Sequence, residues 1–255
     1  MIVKFYIKGH LKIDYIRFRH KTIAFLGRTR YNYNQVMIVE NLSQKLRKYI
    51  LHIFFPTVCP YCERVIYPDE YACEQCRKKL PDKSLTKYAR GGYLCSAPLP
   101  YDEPYSTAVK TFKFRNMGSY APQLSFLVVQ SILEIHRQID FDLITCVPMH
   151  VKDKKKRGYN QAELLAKECA KIMNIPYADL LEKHKQNKAQ HTLKSSEREK
   201  NVRGVFRAVS KNEIEGKSVL IIDDIITTGN TLGECCRILI KAGAKRVCCA
   251  ALCSA

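Results

Sequence analysis

The hydrophobic pattern divides the chain into stretches of different period. From Met37 a helical spacing runs through Leu42, Leu46, Tyr49, Ile50 and Ile53, with Ser43 and Lys/Arg on the other face, until Pro56 ends it. Residues 57–80 carry cysteines, and residues 81–104 hold Pro and Gly outside any period, as expected of a linker. Residues 105–138 read as helix with a break near Asn116 to Gly118. Asp142 to Val147, closed by Pro148, reads as a buried strand. Residues 160–173 read as a helix that Asn160 and Glu163 can cap, with Leu164, Leu165, Cys169 and Ile172 on one face. Residues 174–216 contain polar stretches. Val219 to Ile222 is a second buried strand, and Arg246 to Cys253 a third. Strand, helix, strand, helix, strand predicts an α/β fold with a parallel sheet. Residues 1–36 show no clear period. They read either as a disordered basic tail or as an overextended start before Met37.

The second strand carries the most chemistry. Val219 to Ile222 has no polar alternation, so both of its faces are expected to be covered by helices. It runs into Asp223 and Asp224, then Ile225 and Ile226, then Thr227-Thr228-Gly229-Asn230-Thr231. A helical pattern follows, with Leu232, Cys235, Cys236, Leu239 and Ile240 on one face, a capping-box spacing of Thr231 and Glu234, and Gly243 at the stop. Backbone donors, hydroxyls and a helix N-terminus make an anion site. Paired carboxylates beside it suit a ribose. The ligand class is therefore a sugar phosphate, bound at the carboxyl end of the strands.

Cys59, Cys62, Cys73 and Cys76 form two CxxC pairs separated by ten residues. Two such knuckles complete a tetrahedral site for one structural zinc with no open position. A thioredoxin-like redox pair is the alternative, although one CxxC would suffice for it and no βαβ pattern surrounds either. Cys95, Cys146, Cys169, Cys235, Cys236, Cys248, Cys249 and Cys253 lack this spacing and read as small buried hydrophobes.

Cations are concentrated in a few segments. The net charge of the 255-residue chain is +19. Residues 1–36 are basic, Lys152 to Arg157 form a second cluster, and residues 183–207 a third. Polyanionic partners follow, whether phosphates, pyrophosphate or nucleic acid. The Lys152–Arg157 loop, at the end of the first strand, suits a pyrophosphate, with Lys154, Lys155 and Arg157 as its cations; a solvated loop is the alternative. His184 to Arg203 reads as a lid in which Gln190, Lys194, Arg198, Asn201 and Arg203 would close over a polyphosphate, or as a plain linker. Lys110 to Arg115 alternates aromatics with cations. That suits base stacking, or equally the end of an amphipathic helix packed on the core. No run of about 18 apolar residues is present, so no membrane span is expected. The longest apolar run of residues 1–36, Ile23 to Leu26, is too short for a signal peptide, so a cytoplasmic location is the default expectation.

The Asp223–Thr231 segment resembles the phosphoribosyl-pyrophosphate (PRPP) signature of type I phosphoribosyltransferases. That likeness implies that Asp223 and Asp224 hold the ribose hydroxyls and that Thr227, Thr228, Gly229, Asn230 and Thr231 hold the 5′-phosphate. The wider order resembles the ComF family of competence-associated proteins. It comprises the cysteine knuckles, Lys113-Phe114-Arg115, Val147-Pro148-Met149-His150 and Arg157-Gly158-Tyr159-Asn160-Gln161. Gln190, Glu197-Arg198 and Asn201-Val202 follow, and then the Asp-Asp-x-x-Thr-Thr-Gly loop. The resemblance covers roughly residues 40–255. It implies a type I phosphoribosyltransferase-like sheet at 93–255 and, at 57–92, an N-terminal zinc-ribbon module with four cysteine ligands. A helix at 37–56 and the basic extension 1–36 precede them.

The resemblance also implies Mg²⁺ with PRPP, transfer of phosphoribosyl to an unknown acceptor, and a role in DNA uptake and transformation. Single-stranded DNA and a competence helicase are the partners that a DNA-handling role would bring. The rival expectation is a non-catalytic module that binds single-stranded DNA and keeps the PRPP pocket as a sensor. A second cysteine knuckle found in many relatives is reduced here to Cys95, so one zinc is expected. An Arg common in the lid region appears as Lys185. No base-binding hood is recognisable; the zinc module would occupy that place or dock a partner.

Overall fold

Four hydrophobic residues in a row bury both faces of a strand only if layers lie on each side of it. The structure, a computed structural model, supplies both layers. It describes residues 4–5, 13–18, 21–24, 42–114, 117–185 and 204–255, with side chains from Leu46 onward and only the backbone of Phe114. The chain divides into two units, Met1–Met37 and Ile38–Ala255.

In the first unit β1 (Lys4–Phe5), β2 (Ile13–Phe18) and β3 (Lys21–Ala24) pair antiparallel in that order, with Tyr15 opposite Ala24 and Phe18 opposite Lys21. The β-branched and aromatic residues of β2 supply this preference.

The second unit opens with α1 (Leu42–Phe54). Its polar side chains make its contacts. Lys48 and Tyr49 reach Asp69, and His52 Nδ1 accepts the Thr57 N–H at 2.9 Å. Leu46, Ile50, Ile53 and Phe54 stay exposed. The cysteine segment follows, with α2 (Glu74–Arg77) inside it.

Residues 81–104 are not a linker. They form β4 (Leu85–Ala89), β5 (Tyr93–Ala97) and β6 (Leu99–Pro100). Gly91 and Gly92, both at positive φ, make the hairpin turn between β4 and β5; Pro98 precedes the two-residue β6, in which Leu99 and Pro100 pair with β11. Here Gly and Pro punctuate strands and do not separate domains, and the hairpin crosses the expected boundary at residue 92.

Helix α3 (Tyr105–Phe114), a 3-10 turn at Gly118–Tyr120 and α4 (Ala121–Ile135) lead to β7 (Leu143–Cys146). The residues after β7, read as a loop, form α5 (Val151–Arg157), which His150 caps by accepting the Lys152 N–H. Then come α6 (Gln161–Met173), β8 (Leu181–Lys183), β9 (Phe206–Ala208) and α7 (Lys211–Ile214). The chain closes with β10 (Ser218–Ile226), α8 (Asn230–Lys241) and β11 (Arg246–Ser254).

The main sheet runs β4-β5-β11-β10-β7, and β6 also pairs with β11. All its pairings are parallel except β4 with β5. β10, paired on both sides between β11 and β7, alternates its burial between two cores. Leu220 and Ile222 face a core built with α3, α4 and α6, while Val219 and Ile221 face one built with α8 and the β8–β9 ribbon. The eight cysteines outside the knuckles are all buried within these layers. The mixed, largely parallel sheet carries the ends of β5, β7, β10 and β11 to one edge.

Candidate functional site

The strands' carboxyl edge opens into a cleft of about 1230 Å³. Its floor is the end of β10. Burial first, and then the charge of the adjacent Asp224, push the Asp223 carboxyl up to about 7. Asp223 Oδ1 accepts the Asp224 N–H at 2.8 Å. Asp224 is held differently: Lys113 Nζ lies 2.8 Å from its Oδ2, with the two side chains 18% and 14% exposed. The Lys110–Arg115 segment therefore reaches the site through Lys113. Phe112 is fully buried in the core, which is the amphipathic-helix alternative for that position.

Thr227 to Thr231 line the same cleft. Helix α8 starts earlier than the Thr231–Glu234 capping box implied. Gly229 is the N-cap at φ 70, and no side chain caps the helix. Glu234 is engaged instead with Arg237 at 2.9 Å and with the Gly204 N–H at 3.2 Å. Glycine is required here because the β4–β5 hairpin presses on the loop. A Cβ on Gly229 would stand 2.7 Å from Ala89 Cα, and one on Gly233 would stand 2.3 Å from the Arg90 carbonyl oxygen. The N-cap glycine has no side-chain acceptor of its own for the first backbone donors, and a helix start of this kind is where an anion is bound.

Facing it are cations from α5. Lys155, Lys156 and Arg157 line the cleft, but Lys154 does not. Its ammonium lies 2.6 Å from Glu163 Oε2, which also explains why Glu163 does not close a capping box with Asn160. Asn160 does cap α6 by accepting the Ala162 N–H, and its amide donates to the Val147 carbonyl at 3.0 Å, tying α6 to the end of β7.

Lys183 and Tyr101 also line the cleft, and the sequence pattern gives them no role there. Burial, partly offset by the Asp153 charge, holds the Lys183 ammonium below the ordinary lysine range. Lys183 ends β8, which pairs with β9 at Phe206. The expected lid residues Gln190, Lys194, Arg198, Asn201 and Arg203 lie outside the described residues.

The four knuckle cysteines converge. Their sulfurs all lie within 4.8 Å of one another, with Cys62 and Cys73 at 3.5 Å. Zn–S bonds of about 2.3 Å imply sulfur separations of roughly 3.8 Å, so the donor set fits one tetrahedral ion. The first knuckle turns at Glu63, φ 60, with the Cys59 N–H donating to the Arg64 carbonyl. In the second, Cys73 caps α2. The module packs through Tyr61 on Tyr105, Tyr71 on Phe126, and the Tyr105 hydroxyl on the Lys79 carbonyl. None of residues 57–80 lines the cleft, so the module is not its hood. Among the described residues no helix is long and apolar enough to cross a membrane.

Comparison with known proteins agrees with this geometry. The family model described as "Phosphoribosyl transferase domain" matches residues 160–255. The chain is 30% identical over 212 residues to Competence protein F of Haemophilus influenzae, covering 77% of this chain and 90% of that protein. It is 26% identical over 203 residues to DNA utilization protein YhgH of Escherichia coli, covering 74% and 87%. It is 27% identical over 201 residues to Competence protein ComFC of Bacillus subtilis, covering 78% and 76%. With that sheet, that acid pair and relatives matched over most of their length, the chain belongs to the competence protein F family.

Proposed function

We propose that the chain binds PRPP with Mg²⁺ at the carboxyl edge of its sheet and transfers the phosphoribosyl group to an acceptor, in the service of competence or DNA utilisation. One juxtaposition carries this reading: Asp223 and Asp224, the Thr227–Thr231 turn and the cations Lys155, Lys156, Arg157 and Lys183 share one cleft. The acids would accept from the ribose 2′- and 3′-hydroxyls, and the uncapped start of α8 would receive the 5′-phosphate. As the bond from the anomeric carbon to pyrophosphate breaks, positive charge grows on the sugar and negative charge on the leaving group. The acid pair favours the first and the α5 cations and Lys183 favour the second, from fixed positions. Mg²⁺ would neutralise pyrophosphate oxygens. Among the described residues the four cysteines are the one cluster of metal-ligating side chains, so this ion would arrive with the ligand. We assign the cysteines to structural zinc, since four protein ligands leave no open position.

Pyrophosphate release from PRPP, screened against a panel of bases and nucleotides, tests transfer. Release with one acceptor, lost in Asp223→Asn, is expected; no release with any acceptor would sink the catalytic half.

A second reading has its own support in the exposed cations Lys152, Lys155 and Lys156 and in the relatives' names. It takes the chain as a single-stranded-DNA binder that uses the PRPP pocket as a sensor. Its mark would be DNA affinity that falls steeply with salt and changes when PRPP is added.

A further inference from the structure

Helix ends leave carbonyls without intrahelical donors. At the end of α3 two of these are taken by the segment that opens α6. The Tyr159 hydroxyl donates to the Phe112 carbonyl, and Gln161 Nε2 donates to the Lys113 carbonyl at 3.2 Å. The Lys113 side chain then reaches Asp224 at 2.8 Å. Gln161 is 1% exposed and uses its other amide atom as well, accepting from Arg157 Nη1 at 3.3 Å. A path of polar contacts therefore runs from Arg157 through Gln161 and Lys113 to Asp224. Both of its ends line the cleft, one at the end of α5 and one on β10. Lys113 lies outside the segment that matches the phosphoribosyl transferase domain.

We propose that Lys113 and Gln161 are positioning residues that fix the separation between the cationic loop and the acid pair, so that a ligand carrying both a pyrophosphate and a ribose is met at both ends at once. The inference rests on the PRPP reading. A poorly solvated ion pair is weak evidence for a stabilising role, because desolvation offsets the attraction. What such a pair does supply is orientation. A buried amide with both ends engaged supplies the same. Misplacing either end of a bound sugar diphosphate weakens contacts at the other.

Calorimetric titration of the full chain with PRPP and with inorganic pyrophosphate, each with Mg²⁺, tests this in wild type, Lys113→Met, Lys113→Arg and Gln161→Leu. Lys113→Met is expected to lower PRPP affinity about tenfold or more while changing pyrophosphate affinity by less than about threefold. Lys113→Arg should recover most of the loss, which separates positioning from a failure to fold. Gln161→Leu should lower both affinities, and combining it with Lys113→Met should cost less than the product of the single effects, because one path is cut twice. Equal PRPP affinity in wild type and Lys113→Met, or equal losses for the two ligands, overturns the inference. Hydrogen exchange without ligand keeps it distinct from the PRPP reading. Lys113→Met should speed exchange at residues 157–161 as well as around Asp224. Unchanged exchange in that loop overturns the path whatever the ligand. Faster exchange there, beside a wild type that binds no PRPP, would uphold the path and sink the ribose assignment.

Discussion

Asp223 and Asp224 are neighbours with opposite surroundings. Asp224 has a cation, whereas burial and its neighbour's charge raise Asp223 to about 7, above the 3.8 of a free aspartate. Between roughly pH 4 and 7 the folded chain therefore keeps a proton that the unfolded chain releases, so stability is lost as pH rises across that window. Asp223→Asn removes this dependence. In urea unfolding at about pH 5 and pH 8, the variant should lose roughly 2–4 kcal/mol less than wild type over that interval. Parallel pH profiles would contradict the burial assigned to Asp223. The acid pair itself was readable in the sequence, since a continuous apolar run followed by two acids marks the end of a buried strand. Lys156 was readable as part of the basic loop after β7, and Lys113 as one side of an open choice, whereas Lys183 and Tyr101 were not readable as cleft residues. They come from distant segments, and only the crossing of β8 and β6 onto one edge brings them there.

The Gly229–Gly233 turn of α8 shows how tertiary contact overrides local preference. In an isolated helix Gly233→Ala would be favourable by about 1 kcal/mol. Here the new Cβ would meet the Arg90 backbone at 2.3 Å, and a carbonyl in a hairpin turn yields less readily than a flexible side chain. Crowding wins, and Gly233→Ala is expected to destabilise the chain by roughly 1–3 kcal/mol. It should also weaken phosphate binding by shifting the Thr227–Thr231 loop. Thermal unfolding checks the sign, and a variant more stable than wild type would show that the hairpin does not press on the helix. Elements with long period were legible: α4, α6, β7, β10 and β11 lie close to their expected places. The β4–β5 hairpin was hidden by its own glycines and prolines, and α5 by seven residues almost devoid of apolar spacing, held by a His150 cap and Gly158 at φ 84.

At the scale of the molecule, the cysteine module and the cleft are separate places that share the α3–α4 layer. The module's hold on that layer is aromatic, through Tyr61 and Tyr71. Loss of one thiolate should therefore release the metal and loosen the module while leaving the cleft able to bind. Cys73→Ser is expected to abolish bound zinc and lower the melting temperature, with PRPP affinity within about threefold of wild type. A full metal complement would refute the four-cysteine site, and a lost PRPP affinity would join the module to the cleft. The two-core sheet was foreseeable from Val219 to Ile222; the place of the module was not, because nothing in its spacing records what its tyrosines pack against.

The central claim is that the cleft at the end of β10 holds PRPP, and calorimetric titration of the full chain with PRPP and Mg²⁺ tests it most directly. Saturable binding is predicted, with a loss of roughly 10- to 100-fold for each acid removed, so that Asp223→Ala with Asp224→Ala reads as no binding. Affinity unchanged in the double variant would contradict it.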